Sequence, residues 1–410
     1  MNNRKHPRSR AYSPLAAVLL FTTLAAACSA GAPDDHRSAA ADPIETAATA
    51  GPLSRLSLPP GFRIELVTDA TENARQLALS ANDVLYVGTR RAGRVYAVTD
   101  WRDPARLAVH AVAEDLTMPS GLAWRDGTLY VGALDRVLAY DDIDARIANP
   151  PEPRVIADDL PDKRHHGWKY LSFGPDGMLY LPVGAPCNIC LSEDARFASI
   201  LRMDPATGAT SVYAAGVRNS VGLSWHPDTD ELWFTDNGRD MLGDDVPAEE
   251  VNRVAQVGAH YGYPHVHAGT VLDPEFGAGH RPADYATPEV TIQAHSAALG
   301  IDFYAGKRFP AHYNGALFIA EHGSWNRSKK VGYRVSVAVR TDAGLVVEPF
   351  VTGWLEGEDN WGRPNDVLVE PGGDLLIADD QFGAVYRVRY TGQNVSARSL
   401  RRRPGPGADS

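Results

Sequence analysis

The stretch KYLSFGPDGMLYLPVG, Lys169–Gly184, is a strand–turn–strand phrase that the chain repeats, and this repetition indicates the fold. An alternating apolar strand runs into a Gly-Pro-Asp turn, which is followed by a strand of aromatic and branched residues. The other copies are QLALSANDVLYVGT (76–89), SGLAWRDGTLYVGA (120–133), VGLSWHPDTDELWFTDNG (221–238), LGIDFYAGKRFPAHYNGALFIAEHG (299–323) and NDVLVEPGGDLLIADD (365–380). Most copies are followed by a further strand, such as GRVYAV, SILRM or GAVYRV.

Six such units, spaced several tens of residues apart, predict an all-β, six-bladed β-propeller with one blade per unit. A blade cannot bury both of its faces alone, so blades pack radially around a channel. A β-sandwich is the alternative, but it does not explain a repeated whole-blade phrase. We expect the propeller over residues 54–390. The long connections near Cys187 and between Asp236 and Ala298 are where a rigid ring would carry a site.

The charge of the chain limits its partners. A net charge of -11 argues against nucleic acid or an anionic membrane surface as the main partner, because both require a basic footprint. Basic residues collect at the two ends, so the body is more acidic still.

The first segment predicts export. A basic start precedes an apolar run, Leu15–Ala27, that is shorter than the about 20 residues of a membrane span, so residues 1–27 are interpreted as a signal peptide. LAAAC (24–28) resembles a bacterial lipoprotein box that would place lipid on Cys28, with simple cleavage after Ala-x-Ala as the alternative. Residues 28–53 are expected to form a flexible tether and residues 391–410 a disordered basic tail. The expected location is periplasmic or otherwise extracytoplasmic, with membrane contact only through the lipid anchor.

The chain has three cysteines, so if Cys28 carries lipid, only Cys187 and Cys190 are left to pair with each other. Outside the cytoplasm such a pair tends to oxidise, which favours a local disulfide over a redox role. Haem attachment would need His after the second cysteine, where this chain has Leu191, and zinc would need a second pair of ligands.

Motifs in the middle of the chain carry a resemblance to a known family. In chain order, LPDKRHHGWKYLSFGPDG, AAGVRNSVGLSWHPD, FTDNGRDMLGDDVPAEEVNRV and GAHYGYPHV resemble the soluble glucose dehydrogenase and sorbosone dehydrogenase family. That family uses pyrroloquinoline quinone (PQQ) and calcium on a six-bladed propeller. The resemblance covers residues 59–390 and is strongest over 160–264. It implies an enzyme that oxidises an aldose or a sugar aldehyde and passes electrons to a cytochrome or quinone.

The resemblance places the catalytic base on His166, which suits an imidazole titrating near neutral pH. His165 stands where the family's glucose enzyme has Asp. Arg218 and Asn219 match the pair beside the quinone, where a guanidinium can stabilise developing negative charge.

Calcium is expected on backbone oxygens. By the resemblance, the carbonyls of Gly238 and Arg239 hold an ion next to PQQ, although the family has Pro in the place of Arg239. Glu250 and Tyr261 match a second, structural calcium position.

The carboxylates of PQQ require local cations. Arg363 matches one such contact, and Asn365 replaces a second arginine of the family. In HGSWNRSKK, residues 322–330, we expect Arg327 or Lys330 to substitute for the family's PQQ-binding lysine, with Lys329 as a further candidate, and Trp325 to lie near the ring. Pro119-Ser120-Gly121 replaces Gln-Asn-Gly at a further cofactor contact.

Two alternatives stay open. A lactonase-type propeller would bind calcium through side chains in the channel and activate water, and the candidate ligands are Asn219, Glu321, Asn365 and Asp366. A non-catalytic carbohydrate- or peptide-binding propeller would need neither cofactor. Activity that depends on calcium but not on a quinone would indicate the lactonase-type propeller. A function unaffected by either PQQ or calcium would indicate the binding propeller.

Overall fold

The computed structural model describes residues 53–392. Residues 1–52 and 393–410, which contain the predicted signal peptide, Cys28, nearly all of the tether and the basic tail, lie outside the described residues. The described part contains no α-helix, and none of its helices is long and apolar enough to cross a membrane. Its only helices are single 3-10 turns: Leu53–Arg55, Ile143–Ala145, Pro282–Asp284 and Ala311–Tyr313.

The strands form six four-stranded antiparallel sheets and two small hairpins within residues 53–392, which confirms the six-bladed propeller. In chain order the strands are β1 (Phe62–Thr68); β2 (Ala74–Leu79), β3 (Leu85–Thr89), β4 (Val95–Thr99) and β5 (Ala108–Ala113) of blade 1; β6 (Gly121–Arg125), β7 (Thr128–Gly132), β8 (Val137–Tyr140) and β9 (Arg154–Ala157) of blade 2; β10 (Ser172–Phe173), β11 (Leu179–Val183), β12 (Ser199–Met203) and β13 (Thr210–Ala215) of blade 3; β14 (Leu223–Trp225), β15 (Leu232–Asp236), β16 (Glu249–Arg253), the hairpin β17 (Val266–His267) and β18 (Val271–Leu272), and β19 (Val290–Ile292) of blade 4; β20 (Ala298–Phe303), β21 (Leu317–Glu321), β22 (Arg334–Thr341) and β23 (Gly344–Val351) of blade 5; the hairpin β24 (Leu355–Glu356) and β25 (Asp359–Asn360); and β26 (Pro364–Val369), β27 (Leu375–Asp379) and β28 (Ala384–Tyr390) of blade 6.

Blade 6 is completed by the beginning of the described chain. β1 pairs antiparallel with β28, with Phe62 opposite Tyr390, so the ring closes between segments from the two ends of the domain. Phe62 also packs edge-on against Phe309 and Phe350 of blade 5, with ring centroids 4.7 and 5.0 Å apart. The closing strand therefore joins two blades.

The core lies between neighbouring blades. Successive residues of a strand point to opposite faces, so a fully buried strand serves two interfaces. In β3, Leu85 and Val87 pack toward blade 6, whereas Tyr86 packs toward blade 2. This arrangement explains why the Leu-Tyr-Val phrase is apolar at every position and not only at alternate ones.

The strand order brings loops from several blades together at one end of the ring. In each blade the innermost strand begins at the end where the second strand finishes, because the two are antiparallel. The segments before β10, β14 and β26 and the turns after β3, β15 and β21 therefore meet at this end. Predicted site residues lie in these segments.

Candidate active site

A cavity of about 220 Å³, called the central cavity below, opens at this end of the ring. It is lined by residues of five blades: Arg75, Arg90, His166, Trp168, Arg218, Asn219, Asn237, Gly238, Asp240, Glu249, His295, Ala297, Leu299, His322, Gly323, Trp325 and Arg363. The structure thus brings together His166, Arg218, Asn219, Gly238 and Arg363, which the sequence predicts as site residues.

His166 is held in one orientation. It adopts a left-handed backbone conformation with φ of 51°, and its ring Nδ1 lies 3.0 Å from the carbonyl oxygen of Ala185. A carbonyl can only accept, so Nδ1 carries the proton and Nε2 keeps its lone pair. A side chain at Gly184 would place its Cβ 2.5 Å from that of His166, so this close approach requires glycine.

The surroundings of His166 keep it neutral. Burial, together with the positive charge of Arg218 and the neighbouring His165, lowers the pKa of His166 well below 6.5. The exposed His165 ring lies 4.1 Å from the His166 ring, centroid to centroid. His166 is therefore a neutral imidazole with a free Nε2 at neutral pH.

The backbone of Arg218 and Asn219 is fixed by one buried carboxylate. Asp236 accepts hydrogen bonds from the backbone N–H groups of Arg218 and Asn219, at 2.8 and 2.6 Å. The side-chain oxygen of Asn219 is buried and has no partner within the described residues. An unpaired buried acceptor that lines a cavity is a position for a ligand or solvent donor.

The guanidinium of Arg218 is held by the loop closed by Cys187 and Cys190, which form a disulfide. Asn188 in this loop accepts from Arg218 Nε through its carbonyl at 2.9 Å and from Nη2 through its side-chain oxygen at 2.8 Å. The same side-chain oxygen accepts from the backbone N–H of Asp240 at 2.9 Å. The loop therefore orients Arg218, a function that the sequence analysis did not assign to it.

The predicted calcium loop lines the central cavity through Gly238. Glu249, which is buried beside it, accepts from the N–H of Gly238 at 2.7 Å, and burial raises the pKa of Glu249 to about 8. The Arg239 side chain turns away and pairs with Asp273 at 2.6 Å and Glu275 at 3.1 Å. Only its backbone is left for a metal, as the resemblance implies.

The residues of the predicted second calcium position have protein partners. Glu250 accepts from the N–H of Ala268 at 2.6 Å and from Asn252 at 2.9 Å, and the Tyr261 hydroxyl donates to the carbonyl of Arg253 at 2.8 Å. Within residues 53–392 no cluster of three or more His, Cys, Asp or Glu side chains could hold a metal. The second position stays a prediction.

Arg363 reaches the cavity, but the other predicted cations do not. Arg363 donates to the carbonyls of His322 and Gly323, at 2.9 and 2.6 Å. Arg327 instead pairs with Asp245 at 2.9 Å, and Lys330 donates to Asn360 at 2.8 Å. Their role at a cofactor stays a prediction, whereas Trp325 lines the cavity with 69% of its surface exposed.

Two arginines of the central cavity were missed by the sequence analysis. Arg75 pairs with Asp380 at 2.9 Å and lies over Trp168, 4.6 Å from the ring centroid, and Arg90 lies 4.8 Å from the same centroid. Asp380 also accepts from His322 Nε2 at 2.7 Å, and burial lowers the pKa of His322 to about 4. One sequence signal could have pointed to Arg75: it directly precedes the first copy of the repeated phrase.

The candidate ligands of the lactonase alternative do not converge. Only Asn219 lines the central cavity. Glu321 binds Arg334 at 2.9 Å and Ser336, and Asp366 accepts from the N–H of Leu77 at 2.8 Å. Asp366 thus links blade 6 to blade 1, and Glu321 binds residues of its own blade.

Comparisons with known proteins agree with this architecture. A family model described as glucose / sorbosone dehydrogenase matches residues 144–324. An uncharacterized protein of Borreliella burgdorferi is 30% identical over 353 residues, covering 82% of this chain and 91% of that protein.

Solved structures share the fold. The calcium structure of a Trichoderma reesei carbohydrate-active enzyme of family AA12 matches with a TM-score of 0.70 at 20% identity, covering 85% of this chain and 99% of that one. The holo form of the PQQ domain of pyranose dehydrogenase from Coprinopsis cinerea matches with a TM-score of 0.67 at 18% identity, covering 82% and 97%. The family match includes most of the residues that line the central cavity, although Arg75, Arg90, Trp325 and Arg363 lie outside it, and this chain belongs to the glucose / sorbosone dehydrogenase family.

Proposed function

We propose that this protein is an exported, PQQ- and calcium-dependent dehydrogenase that oxidises an aldose or a sugar aldehyde and passes the electrons to a cytochrome or quinone. The observation that carries the proposal is the central cavity, where a neutral His166 with a free Nε2 faces the same space as Arg218 and Asn219.

The residues of the cavity fit PQQ, a planar tricarboxylate. Four arginines, Arg75, Arg90, Arg218 and Arg363, offer positive charge inside a chain with a net charge of -11. Trp168 and Trp325 offer flat surfaces, and the unpartnered Asn219 oxygen offers a buried acceptor. The structural match to a PQQ domain in its holo form supports the same assignment.

When bound, PQQ supplies a quinone that accepts the hydride from the substrate carbon. His166 Nε2 takes the proton of the hydroxyl on the oxidised carbon, which for an aldehyde is a hydroxyl of its hydrate, and the Nδ1 hydrogen bond to Ala185 holds the ring in the required tautomer. Arg218, fixed by Asn188, keeps its positive charge at the cavity wall, where negative charge develops during oxidation.

Calcium fits the oxygen-rich wall beside Gly238. The carbonyls of Gly238 and Arg239 are the expected ligands, and the buried Glu249 side chain, which accepts from the Gly238 N–H, places further oxygen atoms next to them. The calcium structure of the AA12 enzyme supports the proposal. Export rests on the signal-like first segment and on Cys28, with a lipid anchor in the periplasm as the proposed location.

The test is reconstitution of the purified protein with PQQ and calcium, followed by dye reduction with a panel of aldoses and sugar aldehydes. We expect sugar-dependent reduction that requires both cofactors. His166→Ala should lower kcat by at least about 100-fold and leave PQQ affinity unchanged, because a general base contributes about that much. His165→Ala is the matched control, since its ring is adjacent but exposed.

Absence of PQQ binding would contradict the proposal. Calcium-dependent hydrolysis of a sugar lactone without PQQ would instead establish the lactonase alternative. Sugar binding unaffected by either cofactor, without turnover, would establish a binding propeller.

A further inference from the structure

A second cavity of about 560 Å³ adjoins the central cavity and shares Arg90 and Trp168 with it. We call it the side cleft, and its other lining residues are Arg91, Arg164, Leu116, Thr117 and Met118. Its wall therefore contains three arginines and no acidic residue. The shared residues place the side cleft next to the cavity that contains His166.

The positive charge of the side cleft is not neutralised by the protein. The exposed side chains of Arg91 and Arg164 have no hydrogen-bond or ion-pair partner among residues 53–392. Arg90 approaches Asp380 only to 4.0 Å. Arg102, which is also exposed, is in contrast paired with Asp83 at 2.7 Å.

The neighbourhood does not remove this charge. Arg164 also borders a further cavity that contains Asp115, Asp135 and Asp162, and Asp115 makes no ion pair with Arg164. Asp135 is already bound to Arg136 at 2.8 Å, and Asp162 makes no ion pair with Arg164. In an acidic chain, a basic pocket beside the site concentrates anions locally.

The chemistry of the side cleft suits a carboxylated sugar. A guanidinium fork matches the planar carboxylate with two parallel hydrogen bonds. The hydroxyl of Thr117 can bond sugar hydroxyls, and Leu116 and Met118 give apolar surface for the C–H face of a sugar ring. Arg75, Arg218 and Arg363 remain in the central cavity for the carboxylates of the cofactor.

We propose that the side cleft is a substrate subsite in which Arg91 and Arg164 bind the carboxylate of an acidic sugar whose oxidised carbon lies at His166. The preferred substrate class is then a uronic acid, or an oligosaccharide that contains one. This inference rests on the proposed function, whose substrate it specifies.

The kinetic test compares sugars that differ only at C6: glucuronate with glucose, and galacturonate with galactose. In the wild-type protein we expect kcat/KM for the better uronate to exceed that of its neutral partner by at least about 10-fold. Arg91→Gln/Arg164→Gln should lower kcat/KM for the uronate by about 10- to 100-fold and change that for the neutral sugar by less than about 2-fold.

The matched control is Arg146→Gln/Arg340→Gln. Both arginines are exposed and lie toward the other end of the blades, so this pair removes the same charge without touching the side cleft. We expect it to behave as wild type with both sugars. Equal kcat/KM for uronates and neutral sugars in wild type would overturn the proposal.

A binding measurement separates this inference from the proposed function. Calorimetric titration of PQQ-free protein with glucuronate and galacturonate should show binding that weakens about 10-fold in the Arg91/Arg164 variant but not in the control. If no sugar is oxidised but this difference remains, the proposed function fails and the subsite stands. Equal binding by all three proteins overturns the subsite.

A last readout excludes a role at the cofactor. PQQ affinity, followed by tryptophan quenching, should be the same in wild type, the Arg91/Arg164 variant and the control. A loss of PQQ affinity in the Arg91/Arg164 variant alone would assign these arginines to the cofactor and overturn the proposal.

Discussion

At the scale of single residues, the central cavity depends on contacts between the two ends of the domain. Arg75 and Asp380 are 305 residues apart in sequence and 2.9 Å apart in space. Burial alone would raise the pKa of Asp380, but His322 and Arg75 outweigh it and hold that pKa well below its usual range. A single carboxylate thus fixes one cavity arginine and one cavity histidine.

The acid–base behaviour of His166 gives a prediction at this scale. Burial and Arg218 lower its pKa, so Nε2 is free above that lowered pKa and kcat/KM should fall only on the acid side of the neutral range. Arg218→Gln removes a positive charge and should raise the pKa of His166, which moves the acid limb to higher pH. NMR titration of the His166 ring measures this directly.

Arg363→Gln is the control for that titration, because its guanidinium binds the carbonyls of His322 and Gly323 instead. We expect it to leave the His166 titration near that of the wild type. If Arg218→Gln lowered the pKa of His166 or left it unchanged, the electrostatic account of the base would be wrong.

The predicted site residues that line the central cavity share one property. His166, Arg218 and Gly238 each lie within a contiguous motif beside a copy of the strand phrase, so local sequence reports their place. Arg75 and Arg90 lie in no motif, and ring closure brings them to the cavity. Their only local signal is that they flank the first copy of the repeated phrase, and this position does not reveal the contact with Asp380.

At the scale of elements, the Cys187–Cys190 loop is more than a connection. The loop is anchored where the Cys190 N–H donates to the Tyr263 hydroxyl at 2.9 Å. Asn188 then links Arg218 to the blade 4 loop, accepting from the Asp240 N–H at 2.9 Å and donating to the Asp240 carbonyl at 3.1 Å. The disulfide limits the conformations of a segment that orients a charged group.

Asn188→Ala tests this role. It removes the side-chain oxygen that accepts from Arg218, and we expect kcat to fall about 10-fold, the value of one charge-assisted hydrogen bond. Cys187→Ser/Cys190→Ser should act in the same direction more weakly, because the Asn188 carbonyl can still accept from Arg218. Asn314→Ala, at an exposed asparagine between β20 and β21, is the control. Unchanged kcat in Asn188→Ala would show that Arg218 is oriented by its other partners.

Strand prediction succeeded where both faces of a strand are buried. The second strands, such as β11 and β15, are buried throughout and carry the repeated phrase. The outermost strands, such as β9 and β13, are half exposed, so their pattern is weak and the sequence analysis did not identify them. Strands that are buried on both faces can therefore be predicted from the sequence, and half-exposed strands cannot.

At the scale of the whole molecule, the ring is held closed by β1. Without β1, β28 would become an exposed edge, and the aromatic contacts of Phe62 with blade 5 would be lost. Phe62, Ile64 and Leu66 pack against the core between blades 5 and 6. At about 1.5 kcal/mol for each partly buried side chain, their loss approaches the about 5–15 kcal/mol by which a domain is stable.

We therefore expect a protein that begins at residue 70 to lose the cooperative unfolding transition of the entire ring, whereas one that begins at residue 40 keeps it. Differential scanning calorimetry compares the two, and Phe62→Ala in the longer protein should lower Tm as a milder form of the same change. The longer protein is the control, since it lacks the first segment but retains β1. If the shorter protein kept the Tm of the longer one, the blades would hold the ring closed without the strand that joins its two ends. Arg75 of blade 1 and Asp380 of blade 6 form an ion pair where the ring closes, and Arg75 lines the central cavity. Loss of β1 should therefore also weaken PQQ binding. Closure of the ring and the shape of the central cavity would then depend on the same strand.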